Sequence, residues 1–74
     1  MRAVPDRVEC YSGGAYAEDP VKFFWEGHWR TVGRIVARSR LPGEKRFEAE
    51  DETGARFVLT YFPERDEWSV RAGE

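Results

Sequence analysis

The sequence predicts an all-β protein built as a six-stranded antiparallel meander. Apolar and polar residues alternate at period two, glycine and proline cut the chain into six short runs, and helical periodicity is nearly absent. The runs cover residues 7–11, 21–24, 28–39, 45–51, 55–62 and 67–72. No repeat, low-complexity tract or linker interrupts them, so the 74 residues form one domain, 1–74, close to the size at which a single core just suffices.

Each run has an inner and an outer side. In the first, Val8 and Cys10 point inward, and residues 12–20 then form a long connection rich in glycine. In the second, Val21 and Phe23 point inward while Lys22 and Phe24 point outward. Trp25-Glu26-Gly27 is expected as a three-residue turn, because glutamate tolerates the positive φ of a two-residue turn poorly. That length pairs Phe24 with His28, Phe23 with Trp29 and Val21 with Thr31, which puts Trp29 in the core and Trp25 at the mouth of the turn.

The third run is too long for one straight strand of so small a sheet, and a bend is expected near Gly33. A five-residue loop over 40–44 pairs Ala37 with Phe47, Ile35 with Ala49 and Arg34 with Glu50. Glu52-Thr53-Gly54, with glycine left-handed, pairs Asp51 with Ala55, Glu50 with Arg56, Ala49 with Phe57 and Phe47 with Leu59. A four-residue loop over 63–66 pairs Tyr61 with Trp68 and Leu59 with Val70. The expected core therefore joins Val8, Cys10, Val21, Phe23, Trp29, Ile35 and Ala37 to Phe47, Ala49, Phe57, Leu59, Tyr61, Trp68 and Val70. A bent third strand serving both halves of such a core makes a small SH3-like barrel.

Charge is unevenly spread. The net value is −2, yet residues 28–46 carry +5 and residues 47–74 carry −5. Opposite blocks on neighbouring strands are expected to pair with each other. The outer face carries Lys22, Phe24, His28, Arg30, Val32, Arg34, Val36, Arg38 and Arg40. Cations interleaved with rings suit a single-stranded nucleic acid, although Arg34, Glu50 and Arg56 in one cross-strand row equally make a solvated charge ladder. The binding surface is accordingly sought at Phe24, His28, Lys22, Arg30, Arg34 and Arg38. Phe24 is its anchor, an outward ring that either meets a partner or is covered by Tyr16 of the long connection.

Nothing in the residues carries catalysis. His28 is the lone histidine, Ser12 has no base within reach, and the carboxylates at 48, 50, 51 and 52 lack the spacing of a calcium loop. Neither an enzyme, nor a metal, nor a cofactor is expected. Cys10 has no partner for an internal disulfide, and no apolar run approaches a membrane span or a signal peptide, which points to a cytoplasmic protein.

The segment Asp19-Pro-Val-Lys-Phe-Phe-Trp-Glu-Gly-His-Trp-Arg-Thr-Val-Gly-Arg-Ile-Val resembles a family of small bacterial β-barrel proteins of unknown function. The pattern is a proline, then Phe-x-Trp-x-Gly, an aromatic, a valine and an aliphatic pair, met here by Pro20, Phe23, Trp25, Gly27, Trp29, Val32, Ile35 and Val36. Phe57-Val-Leu-Thr-Tyr and Glu67-Trp-Ser-Val-Arg resemble the family's later strands. Members often carry a tryptophan soon after the aliphatic pair, where this chain has Ala37-Arg-Ser-Arg. Some are encoded near translesion-polymerase-related proteins, so the resemblance implies a DNA-maintenance context and supplies no catalytic residue.

The function expected is that of a non-enzymatic protein-interaction module, which the resemblance places in a DNA-maintenance assembly. Single-stranded nucleic-acid binding through the basic face and a structural homodimer subunit stand as alternatives. The acidic net charge disfavours the nucleic acid.

Overall fold

Six antiparallel strands run in chain order across one sheet that curls into a half-barrel, consistent with the small SH3-like barrel expected. The computed structural model describes residues 6–10 and 19–73. The strands are β1 Val8–Cys10, β2 Pro20–Trp25, β3 His28–Leu41, β4 Glu44–Asp51, β5 Arg56–Phe62 and β6 Glu67–Ala72. No helix among the described residues is long and apolar enough to cross a membrane. The curl brings the chain ahead of β1 back to β6, where Asp6 N donates to Trp68 O at 3.2 Å and Val70 N donates to Asp6 Oδ2 at 2.7 Å. Two polar groups on the outer edge of β6 are thereby satisfied.

The second half of the sheet follows the expected register. Glu50 faces Arg56, Ala49 faces Phe57 and Phe47 faces Leu59, with Gly54 at φ 90° closing the turn and Asp51 N donating to Ala55 O. Tyr61 faces Trp68 and Leu59 faces Val70. Asp66 closes that loop at φ 51°, where its carboxylate accepts a 2.7 Å bond from the Tyr61 hydroxyl. Aspartate is among the few non-glycine residues that adopt this conformation readily.

The β2–β3 hairpin differs from the expectation by one residue. Its turn is the two-residue Glu26-Gly27, at φ 50° and 85°, and it pairs Trp25 with His28, Phe24 with Trp29 and Phe23 with Arg30. Both central residues are left-handed, as the twist of paired strands prefers. The strain at Glu26, of order 1–3 kcal/mol, is offset by what the register buries. Phe23 is fully enclosed, 4.8 Å from the Phe57 ring, and Trp25 packs edge-on to the same ring at 5.3 Å. Trp29 is consequently not a core residue: 41% of its surface is exposed. Val21, 37% exposed near the start of its strand, also leaves the core.

β3 and β4 meet through a tight turn at Pro42-Gly43, not a five-residue loop. Leu41 faces Glu44, and Gly43 takes φ 77° behind a proline, the arrangement of a type II turn. Arg38, not Ala37, therefore stands opposite Phe47. Arg34 still faces Glu50 and Ile35 still faces Ala49, because a bulge between Ile35 and Ala37 absorbs the extra residue. A second bulge lies between Val32 and Arg34, at the expected bend: Val32 keeps the inward side of Arg30 and packs against the core, while the extra residue turns Arg34 outward and Ile35 inward. Only glycine fits there, since a Cβ on Gly33 would stand 2.9 Å from the Asp51 carbonyl oxygen.

The core is Phe23, Phe47, Ala49, Phe57, Leu59, Tyr61 and Val70, with Val8, Trp25, Val32, Ile35 and Trp68 packed against it. Rings link its ends, Trp68 lying 5.1 Å from Tyr61 and 5.8 Å from Phe47. Ala37 and Cys10 are only half-buried.

One ionised group sits inside this frame. Asp51 is 4% exposed and accepts hydrogen bonds from Thr53 Oγ1 at 2.6 Å, Thr53 N at 2.8 Å, Ala55 N at 3.0 Å and Arg30 Nη1 at 3.2 Å. Hydrogen bonding, first from the Thr53 hydroxyl, outweighs burial and holds its pKa down from 3.8 to about 2.

Two outcomes follow from this frame. A carboxyl titrating near 2 when folded and near ~3.9 when unfolded contributes stability that is complete above that upper value and lost as pH falls through about 2. Urea melts should therefore show Asp51→Ala costing about 3–5 kcal/mol at pH 7, with the gap to the native chain narrowing by about 2 kcal/mol as pH falls from about 4 through 2. A gap independent of pH would mean that the carboxylate charge is not what the turn uses. Gly33→Ala should cost about 1–3 kcal/mol by the same measurement, because the methyl group meets backbone and not a mobile side chain.

Candidate interaction surface

Register decides which side chains share a surface. Glu9 faces Lys22, Lys22 faces Thr31 and Phe24 faces Trp29, so these residues lie on the outer side of β1, β2 and β3. Arg7 joins them just ahead of β1, held by the bond from Phe24 N to its carbonyl oxygen at 2.9 Å. The Phe24 and Trp29 rings meet edge-on at 5.5 Å, and the Arg7 guanidinium stands 4.5 Å from the first ring centre and 5.3 Å from the second. Lys22 Nζ lies 5.6 Å from the Trp29 ring. Rings packed on each other, with cations over their faces, make a stiff apolar patch whose shape is set before anything binds.

The six residues expected to form one binding surface do not lie together. Lys22 and Phe24 are on this patch. His28 is exposed but stands opposite Trp25, on the reverse side of the hairpin from Phe24. Arg30 turns inward opposite Phe23 and pairs with Asp51, the direct result of the shorter Glu26-Gly27 turn. Arg34 stays outward on the β3–β4 ladder. Arg38 is carried by the bulge after Ile35 onto the row of Phe47, from which it reaches Asp19. The Tyr16 cover considered for Phe24 falls outside the described residues, as does Ser12.

Carboxylates pair with Arg30, Arg34, Arg38 and Arg46 of the basic block. Arg34 binds Glu50 through two bonds at 3.1 and 3.3 Å, and Arg56 shares the same carboxylate at 3.1 Å. These two guanidiniums, Arg34 foremost, hold Glu50 below the usual carboxylate range. Arg38 makes a two-bond contact with Asp19 at 2.6 and 3.0 Å, which lowers the Asp19 pKa and raises that of Arg38. Lys22 stands 3.7 Å from Glu9. Exposed pairs of this kind add little stability, but they cancel the local field that would attract a polyanion. Among the described residues, the cations of the outer face at Lys22 and Arg34 are both met by carboxylates.

Trp29 and Arg7 are the members of the patch that the sequence did not assign. Trp29 was recoverable from the sequence only by preferring the two-residue turn, since one residue of register moves it across the sheet. Arg7 carried a weaker signal, an outward parity two places before Glu9. A separate concavity of about 440 Å³ lies at the β3–β4 hairpin tip, lined in part by Arg40, Leu41, Tyr61 and Pro63. Among the described residues no group of three or more histidine, cysteine, aspartate or glutamate side chains could hold a metal ion. Comparisons with protein-family models, with curated proteins and with solved structures find no match to the chain.

Proposed function

We propose that the protein is a non-enzymatic, cytoplasmic interaction module that meets a protein partner through the Arg7–Phe24–Trp29 patch. The observation that carries this reading is Trp29 itself. A tryptophan left 41% exposed in so small a domain, braced by Phe24 and overlaid by Arg7, has the composition and rigidity of an interface anchor. The ring belongs to a segment whose resemblance implies a DNA-maintenance setting, and that directs the search for the partner to such assemblies. Single-stranded nucleic acid is the weaker reading, because Arg30, Arg34 and Arg38 are committed to Asp51, Glu50 and Asp19. A homodimer would use the same patch on both subunits.

The test compares the native chain with Trp29→Ala and Phe24→Ala. Each substitution should cost only about 1 kcal/mol of stability, since it removes an exposed ring pair, whereas Phe23→Ala should cost about 3–5 kcal/mol. A protein captured from a lysate of the encoding organism by the native chain should be lost with Trp29→Ala while the fold, followed by circular dichroism, is kept. Sedimentation equilibrium of the two chains separates a second copy from a foreign partner. Identical capture by both chains would remove the patch from the function.

A further inference from the structure

The inference that follows rests on the contact surface just proposed and names the chemistry of what it receives. Three arginines of the described residues lie over aromatic rings: Arg7 at 4.5 Å from Phe24, Arg30 at 5.6 Å from Phe57 and Arg65 at 4.5 Å from Phe62. Two of the three also hold a carboxylate. Arg30 reaches Asp51 at 3.2 Å, and Arg65 reaches Glu67 at 3.1 Å. Arg7 lies over its rings at similar distances, yet no carboxylate of the described residues pairs with it.

Stacking occupies the flat face of a guanidinium and leaves its edge, where all five N–H donors lie, free for a planar acceptor. A carboxylate meets that edge through two parallel bonds. Glu9, two places along from Arg7 on the same side, already faces Lys22 at 3.7 Å. The patch therefore carries two cations against one anion on a chain whose net charge is −2.

We infer that the partner supplies the missing carboxylate: an acidic peptide segment whose Asp or Glu pairs with the Arg7 edge while an adjacent apolar side chain lies against the exposed Trp29 ring. A single-stranded nucleic acid presents a phosphate at every nucleotide and requires a row of free cations. Here Arg30, Arg34 and Arg38 are spent on Asp51, Glu50 and Asp19, so one guanidinium that no carboxylate of the described residues pairs with, beside two rings, matches a carboxylate next to an apolar residue more closely than a phosphate backbone.

The test is selection of a random dodecapeptide library on the intact protein. Recovered peptides should be enriched in Asp or Glu beside an apolar residue. The tightest of them should weaken tenfold or more, both with Arg7→Gln and when its carboxylates are replaced by amides, the thermal midpoint of the variant being unchanged. Peptides that lose binding with Trp29→Ala but show neither acidic enrichment nor dependence on Arg7 would overturn the carboxylate inference and leave the contact surface standing. Failure to enrich any peptide, or binding indifferent to Trp29→Ala, would overturn both. Titration with a labelled oligothymidylate is the remaining arm, and tight binding abolished by Arg7→Gln would assign the arginine to phosphate and refute the peptide.

Discussion

The length of the Glu26-Gly27 turn is the constraint on which the rest of the molecule depends. Side chains in a strand alternate between two faces, so the hairpin has no intermediate setting: one residue more in the turn would exchange every inward and outward position of β3 up to its first bulge. At two residues, Phe23 and Trp25 close on Phe57, Arg30 turns inward to Asp51, and Phe24 and Trp29 meet on the outside. The turn thus couples the core, the buried ion pair and the exposed patch. The bulge at Gly33 belongs to the same device, because it lets β3 leave this register, turning Arg34 outward to Glu50 and Ile35 to the core, where the backbone passes close to Asp51.

Electrostatics then decide what the surface offers. A block of positive charge in the sequence suggests a polyanion site only while its members stay unpaired, and folding brings the acidic block of β4 beside the basic block of β3. Glu50 takes Arg34 and Arg56 together, and Asp51 takes Arg30. What survives as distinctive is not charge but an aromatic pair under a guanidinium that no carboxylate of the described residues meets.

The sheet was legible wherever turn chemistry was unambiguous. Gly54 at the end of Glu52-Thr53-Gly54 and the four-residue loop over 63–66 gave the pairing of β4, β5 and β6 correctly, including Glu50 with Arg56, whereas Arg34 meets Glu50 only because the bulge after Ile35 absorbs the residue that the shorter β3–β4 turn adds. The bend at Gly33 was legible too, since a strand of this length cannot stay flat. Lost were the two hairpins in which a local preference misled. Glutamate tolerates positive φ poorly, yet at Glu26 packing of the hairpin outweighs that strain. A leucine, a proline and a glycine were folded into a long loop, although Pro42-Gly43 is itself a sufficient turn. Each slip displaced part of the proposed binding surface: the first moved Trp29, Arg30 and His28, and the second moved Arg38.

The exposure of Trp29 is better understood as a consequence of competing burials than as an oversight of packing. Turning the ring inward would add at most a few kcal/mol of apolar transfer free energy. The same slip would carry Arg30 outward and strip Asp51 of its cation, and removing one partner of a buried pair costs about 3–5 kcal/mol. Trp25, which packs on Phe57, would leave the core in exchange for Trp29, so the apolar gain largely cancels. The observed register is therefore the one the core selects. It leaves a tryptophan on the surface without loss of stability, and that is how a domain with so few buried residues can keep a rigid aromatic anchor available to another molecule.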